Sequence, residues 1–389
     1  MEAEQLPVTK SLAIRSLDRF MSFVAALASK YLTGPCSHSK IAAAAVLLSL
    51  LTTFPVYRGM GGGFKSVTSQ AFSWKVLHPL SPIPADFKDP SLYKGTLAGQ
   101  ASHADKMELR VTLPILGRLS RTGVWTVAVW NPIAGFGTFY LLAFLASEAL
   151  MDSVGAALFV LGLGPTFFGN WFFNDFIIGD GVAFFFMLLS VTWRSPLLSA
   201  LSFLAAAFCD ERCVTAAPLL LCYVAIRFRE PDQLAQRKRS FAALASAILV
   251  WALLRWWLIH ALGNSAGTSG MMSKEILRYQ LMENLPGPFL AVFKSSWMLA
   301  AFALFSLAAS HRGRIAVVLS ASLGLAILPA FLIWDFERSV AYTFVSLLIS
   351  LYSLRGAPAL SRKYLAAILV TNMLLTAPGK SILRVLDWF

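Results

Sequence analysis

Residues 125–147, WTVAVWNPIAGFGTFYLLAFLAS, decide the fold class of this chain. The stretch contains no charged residue, and an α-helix needs about 20 apolar residues to cross the hydrocarbon core of a bilayer. Hydrophobic residues make up 57% of the 389-residue chain and charged residues only 14%. A soluble fold of this composition would expose apolar surface on every side, so the sequence predicts an integral membrane protein.

Further apolar runs surround this stretch on both sides. Several are shorter than a full crossing, which neighbouring helices allow by shielding the helix ends. Together the runs predict an all-α, polytopic transmembrane helix bundle of about 10 to 12 spans. The other runs lie near residues 41–57, 154–171, 177–193, 196–209, 213–228, 241–262, 288–309, 315–333, 340–354 and 364–377.

The sequence predicts one integral membrane domain, 1–389. Its first segment, 1–40, spaces basic side chains among apolar ones, which is typical of an amphipathic helix on the cytoplasmic membrane surface. A short first span at 20–32 is the alternative, and it would invert the orientation of every later span. The transmembrane bundle occupies 125–377.

A long loop, 58–124, separates the first span from the second. Its first half is rich in proline and glycine and is predicted to be irregular. From about His103 the apolar residues recur at helical spacing, which predicts an interfacial helix along the outer membrane surface. We expect a kink or an early break near Pro114.

Lysine and arginine concentrate in the connections 227–239, 312–314 and 355–363. Short positive connections stay on the cytoplasmic side when a polytopic protein inserts into a membrane. With these connections inside, alternation along the spans places the basic N-terminus inside as well, and the 58–124 loop outside. The net charge of +13 is therefore explained by membrane orientation, and nucleic acid is not an expected partner.

The carboxylates at the ends of the apolar runs form the first predicted site. They occur in WFFNDFIIGDG, FCDERCV and WDFERSV, which the orientation places on the external face. Charge within or beside spans is costly and typical of functional positions, whereas the alternative is a hydrated turn that satisfies exposed helix ends. The predicted substrate-binding residues in these stretches are Asp175, Asp180, Asp210, Glu211, Arg212, Asp335, Glu337 and Arg338.

The external loop carries a second cluster of titratable residues, SHADKMELR. We predict that Asp105 or Glu108 is a catalytic base and that His103 completes the catalytic set, while Arg110 binds a phosphate at the membrane surface. The alternative is a solvated amphipathic face. The sequence contains no Walker loop, GxSxG, HExxH or paired-cysteine motif, so no cofactor is indicated, and a divalent metal is left open.

The layout of the chain resembles the GT-C superfamily of polyprenyl-phosphate-dependent membrane glycosyltransferases. The shared features are an internal N-terminus, a long acidic first external loop that ends in a surface helix, and functional residues at external helix ends. HADKMELRVTLPILGRL, DER and DFERS are also similar to segments of bacterial membrane proteins of that type. One departure is that FPVYRGMGGGFKS, after the first span, has no carboxylate, so the base would be Asp86, Asp89, Asp105 or Glu108.

The resemblance implies that the chain transfers a sugar from a polyprenyl-phosphate donor to an acceptor hydroxyl. It implies an enzyme of the bacterial inner membrane with its N-terminus in the cytoplasm, acting on the extracytoplasmic face. Its partners would be membrane lipid and a lipid-linked sugar donor. In this chemistry a carboxylate deprotonates the acceptor, and arginines neutralise the departing lipid phosphate.

Two other classes of function fit the same pattern. A transporter or flippase would place charge deep within several spans, and the deeper candidates here are Asp180, Arg255 and Lys294, each near a span end. A non-catalytic subunit of a larger membrane complex would use the aromatic-rich spans as a docking surface. Protein partners are therefore left open.

Overall fold

The fold is entirely helical in the part of the chain that the structure, a computed structural model, describes. No strand occurs among these residues, so the predicted all-α class is confirmed. The structure describes residues 6–57, 74–84, 109–174, 179–261, 277–278, 281–282, 287–310, 313–332, 336–356 and 358–376.

Most of the predicted apolar runs are present as helices, several of them interrupted by breaks or by short 3-10 turns. The principal α-helices are α1 (Leu6–Leu32), α2 (Ser37–Tyr57), α3 (Thr112–Ser120), α4 (Thr126–Leu150), α5 (Ser153–Leu163), α6 (Phe167–Asn174), α7 (Asp180–Thr192), α8 (Pro196–Cys209), α9 (Arg212–Thr215), α10 (Ala217–Arg227), α11 (Leu234–Ala261), α12 (Gly287–Phe293), α13 (Trp297–Ala309), α14 (Gly313–Ile327), α15 (Phe336–Ala341), α16 (Val345–Leu351) and α17 (Pro358–Thr376). The 3-10 turns include Lys294–Ser296 before α13 and Tyr342–Phe344 before α16.

Four helical segments in the described residues are long and apolar enough to cross a membrane, or five if the bent pair of α1 and α2 counts as one span. The four are Thr126–Leu150, Pro231–Ala261, Gly287–Ala309 and Gly313–Phe331. The apolar helices α7 and α8 have 13 and 14 residues, which gives each a length of about 20 Å. They are thus shorter than the hydrocarbon core of a bilayer.

The predicted run at 154–171 is broken in the structure. α5 ends at Leu163 and α6 begins at Phe167. Pro165 stands between them, and a proline has no N–H to continue a helical hydrogen-bond ladder. Gly169 packs against the break so closely that a Cβ there would lie 2.4 Å from the Leu163 carbonyl oxygen.

The amphipathic N-terminal segment forms one helix, α1, whose axis is turned 120° from that of α2. Gly34, in the turn between them, has a φ of +90°, a conformation that glycine adopts without steric cost. Met21 is buried, and Asp18 forms an ion pair with Lys363 of α17 at 2.7 Å. α1 therefore docks onto the bundle beside the start of α17.

α3 begins at Thr112 and includes Pro114 in its first turn. A proline there removes only an N–H that has no partner within the helix, so the helix tolerates it. The early break expected near Pro114 is therefore observed as the start of a helix. The first part of the predicted interfacial helix, 103–108, lies outside the described residues.

Ion pairs lie at both ends of the bundle. Asn131, near the start of α4, lies against Gly181, which follows Asp180 in the chain. We call this end of the bundle the Asp180 end. Glu148, near the end of α4, pairs with Arg227 at 2.7 Å and defines the Glu148 end. The helical rise from Asn131 to Glu148 is about 26 Å, close to the thickness of the hydrocarbon core.

Aromatic side chains fill the bundle between these two ends. Phe168 packs against Phe184 and Phe344 with ring centroids 5.1 and 5.0 Å apart. Phe184 in turn contacts Tyr342, with a centroid separation of 4.7 Å. The ionic residues at the Asp180 end therefore stand on a packed aromatic core.

Candidate functional site

The structure brings together six of the predicted site residues at the Asp180 end and adds Arg255 to them. We call the set the ionic cluster. Its members come from the position two residues before α3, the start of α7, the α8–α9 junction, α11 and α15. They are Arg110, Asp180, Asp210, Glu211, Arg212, Arg255 and Arg338.

The Asp180–Arg338 ion pair is the most buried part of the cluster. Arg338 Nε donates to Asp180 Oδ2 at 2.6 Å, and Nη2 donates to Oδ1 at 3.0 Å. Tyr342 donates its hydroxyl hydrogen to Oδ1 at 3.2 Å. Tyr342 follows Arg338 by four residues, which places both side chains on one helical face. Asp180 is the first residue of α7, where the helix dipole favours a carboxylate.

The DER junction between α8 and α9 supplies the next layer of charges. Arg212 Nη1 lies 3.6 Å from Asp180 Oδ2, and Arg212 Nε lies 3.7 Å from Asp210 Oδ1. The backbone N–H of Arg212 donates to the same Asp210 oxygen at 3.0 Å. Asp210 therefore holds the turn in shape and also orients the Arg212 side chain.

Arg110 connects the segment before α3 to this junction. Its Nε and Nη2 atoms donate to the two carboxylate oxygens of Glu211 at 3.3 and 3.2 Å, and Nη2 lies 3.1 Å from Asp210 Oδ2. The hydroxyl of Thr112 donates to the Ala205 carbonyl at 2.8 Å, which fixes the start of α3 against α8. Arg110 is thus held both by its own bonds to the two carboxylates and by the packing of α3 against α8.

Arg255 was absent from the predicted substrate-binding set. Its Nη1 lies 3.9 Å from Glu211 Oε2, and its guanidinium stands over the ring of Trp251 at 5.3 Å. The sequence signal is a single cation in the apolar run WALLRWWLIHA, which is costly unless it meets a partner. Trp171 and Tyr342, which both contact Arg338, were also missed.

Of the remaining predicted residues, the structure describes only Glu337. Glu337 is half-buried on α15 and takes part in none of the cluster's ion pairs. The others lie outside the described residues, and their predicted roles stay predictions. They are His103, Asp105, Glu108, Asp175 and Asp335.

Burial and charge act in opposite directions on the two carboxylates of the α8–α9 junction. Burial raises the pKa of Asp210 to about 6, although Arg110 and Arg212 lower it. Burial also raises the pKa of Glu211, but the charges of Arg110 and Arg255 outweigh it and hold that pKa well below its usual range. At neutral pH the cluster therefore has four guanidinium groups and three carboxylates, an excess of one positive charge.

An excess of arginine at a partly dry site is suited to an anion, because guanidinium groups bind phosphate with paired N–H donors. No group of three or more histidine, cysteine or acidic side chains in the described residues is arranged to hold a metal ion. No protein-family profile matches the sequence, and no curated protein is detectably similar to it.

Proposed function

We propose that this chain is a GT-C-type membrane glycosyltransferase that moves a sugar from a polyprenyl-phosphate donor to an acceptor on the extracytoplasmic face. The supporting observation is the convergence of Arg110, Arg212 and Arg338 at one end of the bundle. The sequence predicted these three arginines as the groups near the lipid phosphate. To bind one phosphate together, the three arginines must lie close to one another, as they do here.

The arginines supply transition-state stabilisation in this proposal. When the bond between the anomeric carbon and the phosphate oxygen breaks, negative charge builds up on the departing polyprenyl phosphate. Cations held in fixed positions in a poorly hydrated site stabilise that charge without reorganisation. The carboxylates of Asp180 and Asp210 hold Arg338 and Arg212 in place, so we assign them as positioning residues.

The acceptor hydroxyl loses its proton to Asp105 or Glu108 in this mechanism, as its oxygen bonds to the anomeric carbon. Glu108 precedes Arg110 by two residues, so their Cα atoms are at most about 7 Å apart by covalent geometry. Arg110 itself is bound to Asp210 and Glu211. Glu108 is thus the candidate base that is nearer along the chain to a member of the cluster.

The packing between the two ends of the bundle favours an enzyme over a transporter. Phe168, Phe184 and Phe344 are buried and pack directly beneath the cluster. A transport pathway that starts at the cluster would have to pass these rings. Lys294, the deeper cation considered for a transporter, donates to the Pro165 carbonyl at 2.6 Å and takes part in none of the cluster's ion pairs. The cluster is thus suited to act from one face.

The test uses polyprenyl-phosphate hexoses labelled in the sugar, incubated with membranes that contain the protein or a variant. It measures the rate at which the labelled sugar leaves the polyprenyl phosphate. Arg212→Lys and Arg338→Lys keep the charge but remove the paired donors, and we expect a loss of roughly 100-fold in rate. Arg362→Lys is the matched control, since Arg362 pairs with Asp152 at the Glu148 end. Equal rates in all three variants would exclude the proposed role.

A further inference from the structure

Arg255 differs from the other arginines of the cluster in its exposure and in its helix. Its side chain is 23% exposed, whereas Arg110, Arg212 and Arg338 are at most 12% exposed. It lies on α11, within a segment long enough to cross a membrane whose apolar window is only 22% buried. The cluster therefore reaches the surface of the bundle at α11.

Two anchors fix α11 against α8 on either side of Arg255. The indole N–H of Trp251 donates to the Ala207 carbonyl at 3.2 Å. About two turns after Trp251, Leu258 is buried with Phe208 and Val111. Arg255 therefore lies in the seam between α8 and α11, next to the buried ion pairs.

The Arg255–Glu211 contact is the weakest ion pair of the cluster. Its length of 3.9 Å exceeds those of the other pairs, which run from 2.6 to 3.8 Å. Arg255 makes no hydrogen bond within the described part of the chain, and a guanidinium has five N–H donors to offer. An anion at the seam would thus find a cation with spare donors.

The surface of α11 on either side of the seam is exposed and apolar. Leu254 and Trp256, the chain neighbours of Arg255, are 43% and 61% exposed, while Leu253 and Trp257 lie on the far face of the helix and are also exposed. Gln236, at the other end of α11, bonds to the Arg194 carbonyl, and the helical rise from Gln236 to Arg255 is about 28 Å. Arg255 is therefore at the level of the head groups of one leaflet, where paired tryptophans are also typical.

We propose that an anionic lipid enters the ionic cluster sideways from the bilayer, through the seam between α8 and α11, with its phosphate on Arg255. Its hydrocarbon chain lies against the exposed side chain of Trp256. The excess positive charge of the cluster draws the phosphate inward past Glu211, towards Arg110 and Arg212. The proposal rests on phosphate binding by the cluster, as the proposed function does, but it does not require sugar transfer.

The test measures binding of a diazirine-labelled polyprenyl phosphate to the full-length protein in nanodiscs, alongside the water-soluble geranyl phosphate. Arg255→Gln should reduce photocrosslinking to the long-chain lipid at least tenfold, with the remaining crosslinks on α8 and α11. Arg229→Gln is the matched control, because Arg229 is exposed and, among the described residues, pairs only with Glu230. Arg255→Lys keeps the charge and should retain part of the crosslinking, which separates a binding defect from misfolding.

Unchanged crosslinking in Arg255→Gln would overturn the proposal, as would crosslinks confined to other helices. A loss confined to geranyl phosphate would overturn it too, because the anion would then arrive from water. Crosslinking at the seam without sugar transfer would refute the glycosyltransferase assignment alone. Sugar transfer that is insensitive to Arg255→Gln, with unchanged crosslinking, would refute the lateral route alone.

Discussion

At the scale of single residues, the sequence identified the charged groups but not how they pair. Asp180, Asp210 and Arg338 stand out because each interrupts or ends an apolar run. The partner of Asp180 is 158 positions away, and spacing along a chain carries no information on such a contact. Three of the predicted substrate-binding carboxylates, Asp180, Asp210 and Glu211, are thus bound by arginines.

The Asp180–Arg338 pair allows structure and function to be separated. Asp180→Asn leaves buried guanidinium charge without its carboxylate, and we expect a loss of about 3–5 kcal/mol in stability. The double substitution Asp180→Leu with Arg338→Met removes both charges and should recover most of that stability but no sugar transfer. Thermal unfolding in detergent and the polyprenyl phosphate release assay measure the two effects. Recovered transfer in the double variant would reduce the pair to a structural role.

Asp210 gives a prediction about pH. Its pKa is raised in the folded protein to about 6, above the ordinary value of about 3.9. Its contribution to stability is therefore fully present below the ordinary value and is lost as the pH rises through 6. Asp210→Asn lacks this titration, so its stability relative to the native protein should increase between pH 4 and 6 and then level off. Unfolding temperatures that diverge in the opposite direction would contradict this assignment.

At the scale of elements, apolar runs predicted most of the helices, but several boundaries depend on tertiary packing. The α8 run, 196–209, matches the helix to the residue, because Pro196 starts it and the charged DER triplet follows its end. The run at 154–171 was predicted as one span and is two helices. Its break depends on how closely Gly169 approaches the chain before α6, which periodicity cannot show.

Gly169 offers a test of that break. A Cβ at Gly169 would lie 2.4 Å from two backbone carbonyl oxygens, so Gly169→Ala must displace α6, whose Trp171 contacts Arg338. We expect a destabilisation of about 1–3 kcal/mol from this overpacking, together with slower transfer. Gly324→Ala is the control, since nothing lies within 4 Å of a Cβ there. Equal unfolding temperatures for the two variants would show that α6 is not held as described.

At the scale of the whole molecule, ion pairs at two ends match the charge asymmetry in the sequence. The Glu148 end joins Arg227 and Arg362 to acidic partners, in the connections predicted to be cytoplasmic. The Asp180 end holds the ionic cluster on the predicted external face. The sequence predicts the face on which each of these residues lies, while the convergence of the ionic cluster depends on the three-dimensional packing.

Cys36 provides a test of orientation. It is an exposed free cysteine in the turn before α2, and His38 beside it contacts Phe144 near the Glu148 end. We expect an impermeant maleimide to label Cys36 in inside-out vesicles only, because that end is predicted to be cytoplasmic. Leu119→Cys, made in a Cys36→Ser background at an exposed site of α3, should be labelled only in right-side-out vesicles. The reverse pattern would invert the bundle and place the ionic cluster on the cytoplasmic face.

The most direct measurement for the central claim is a cryo-electron microscopy structure of the protein with bound polyprenyl phosphate. The account predicts the phosphate within hydrogen-bonding distance of at least two of Arg110, Arg212 and Arg338, at the Asp180 end. A phosphate bound only at the Glu148 end, or away from all three arginines, would contradict it.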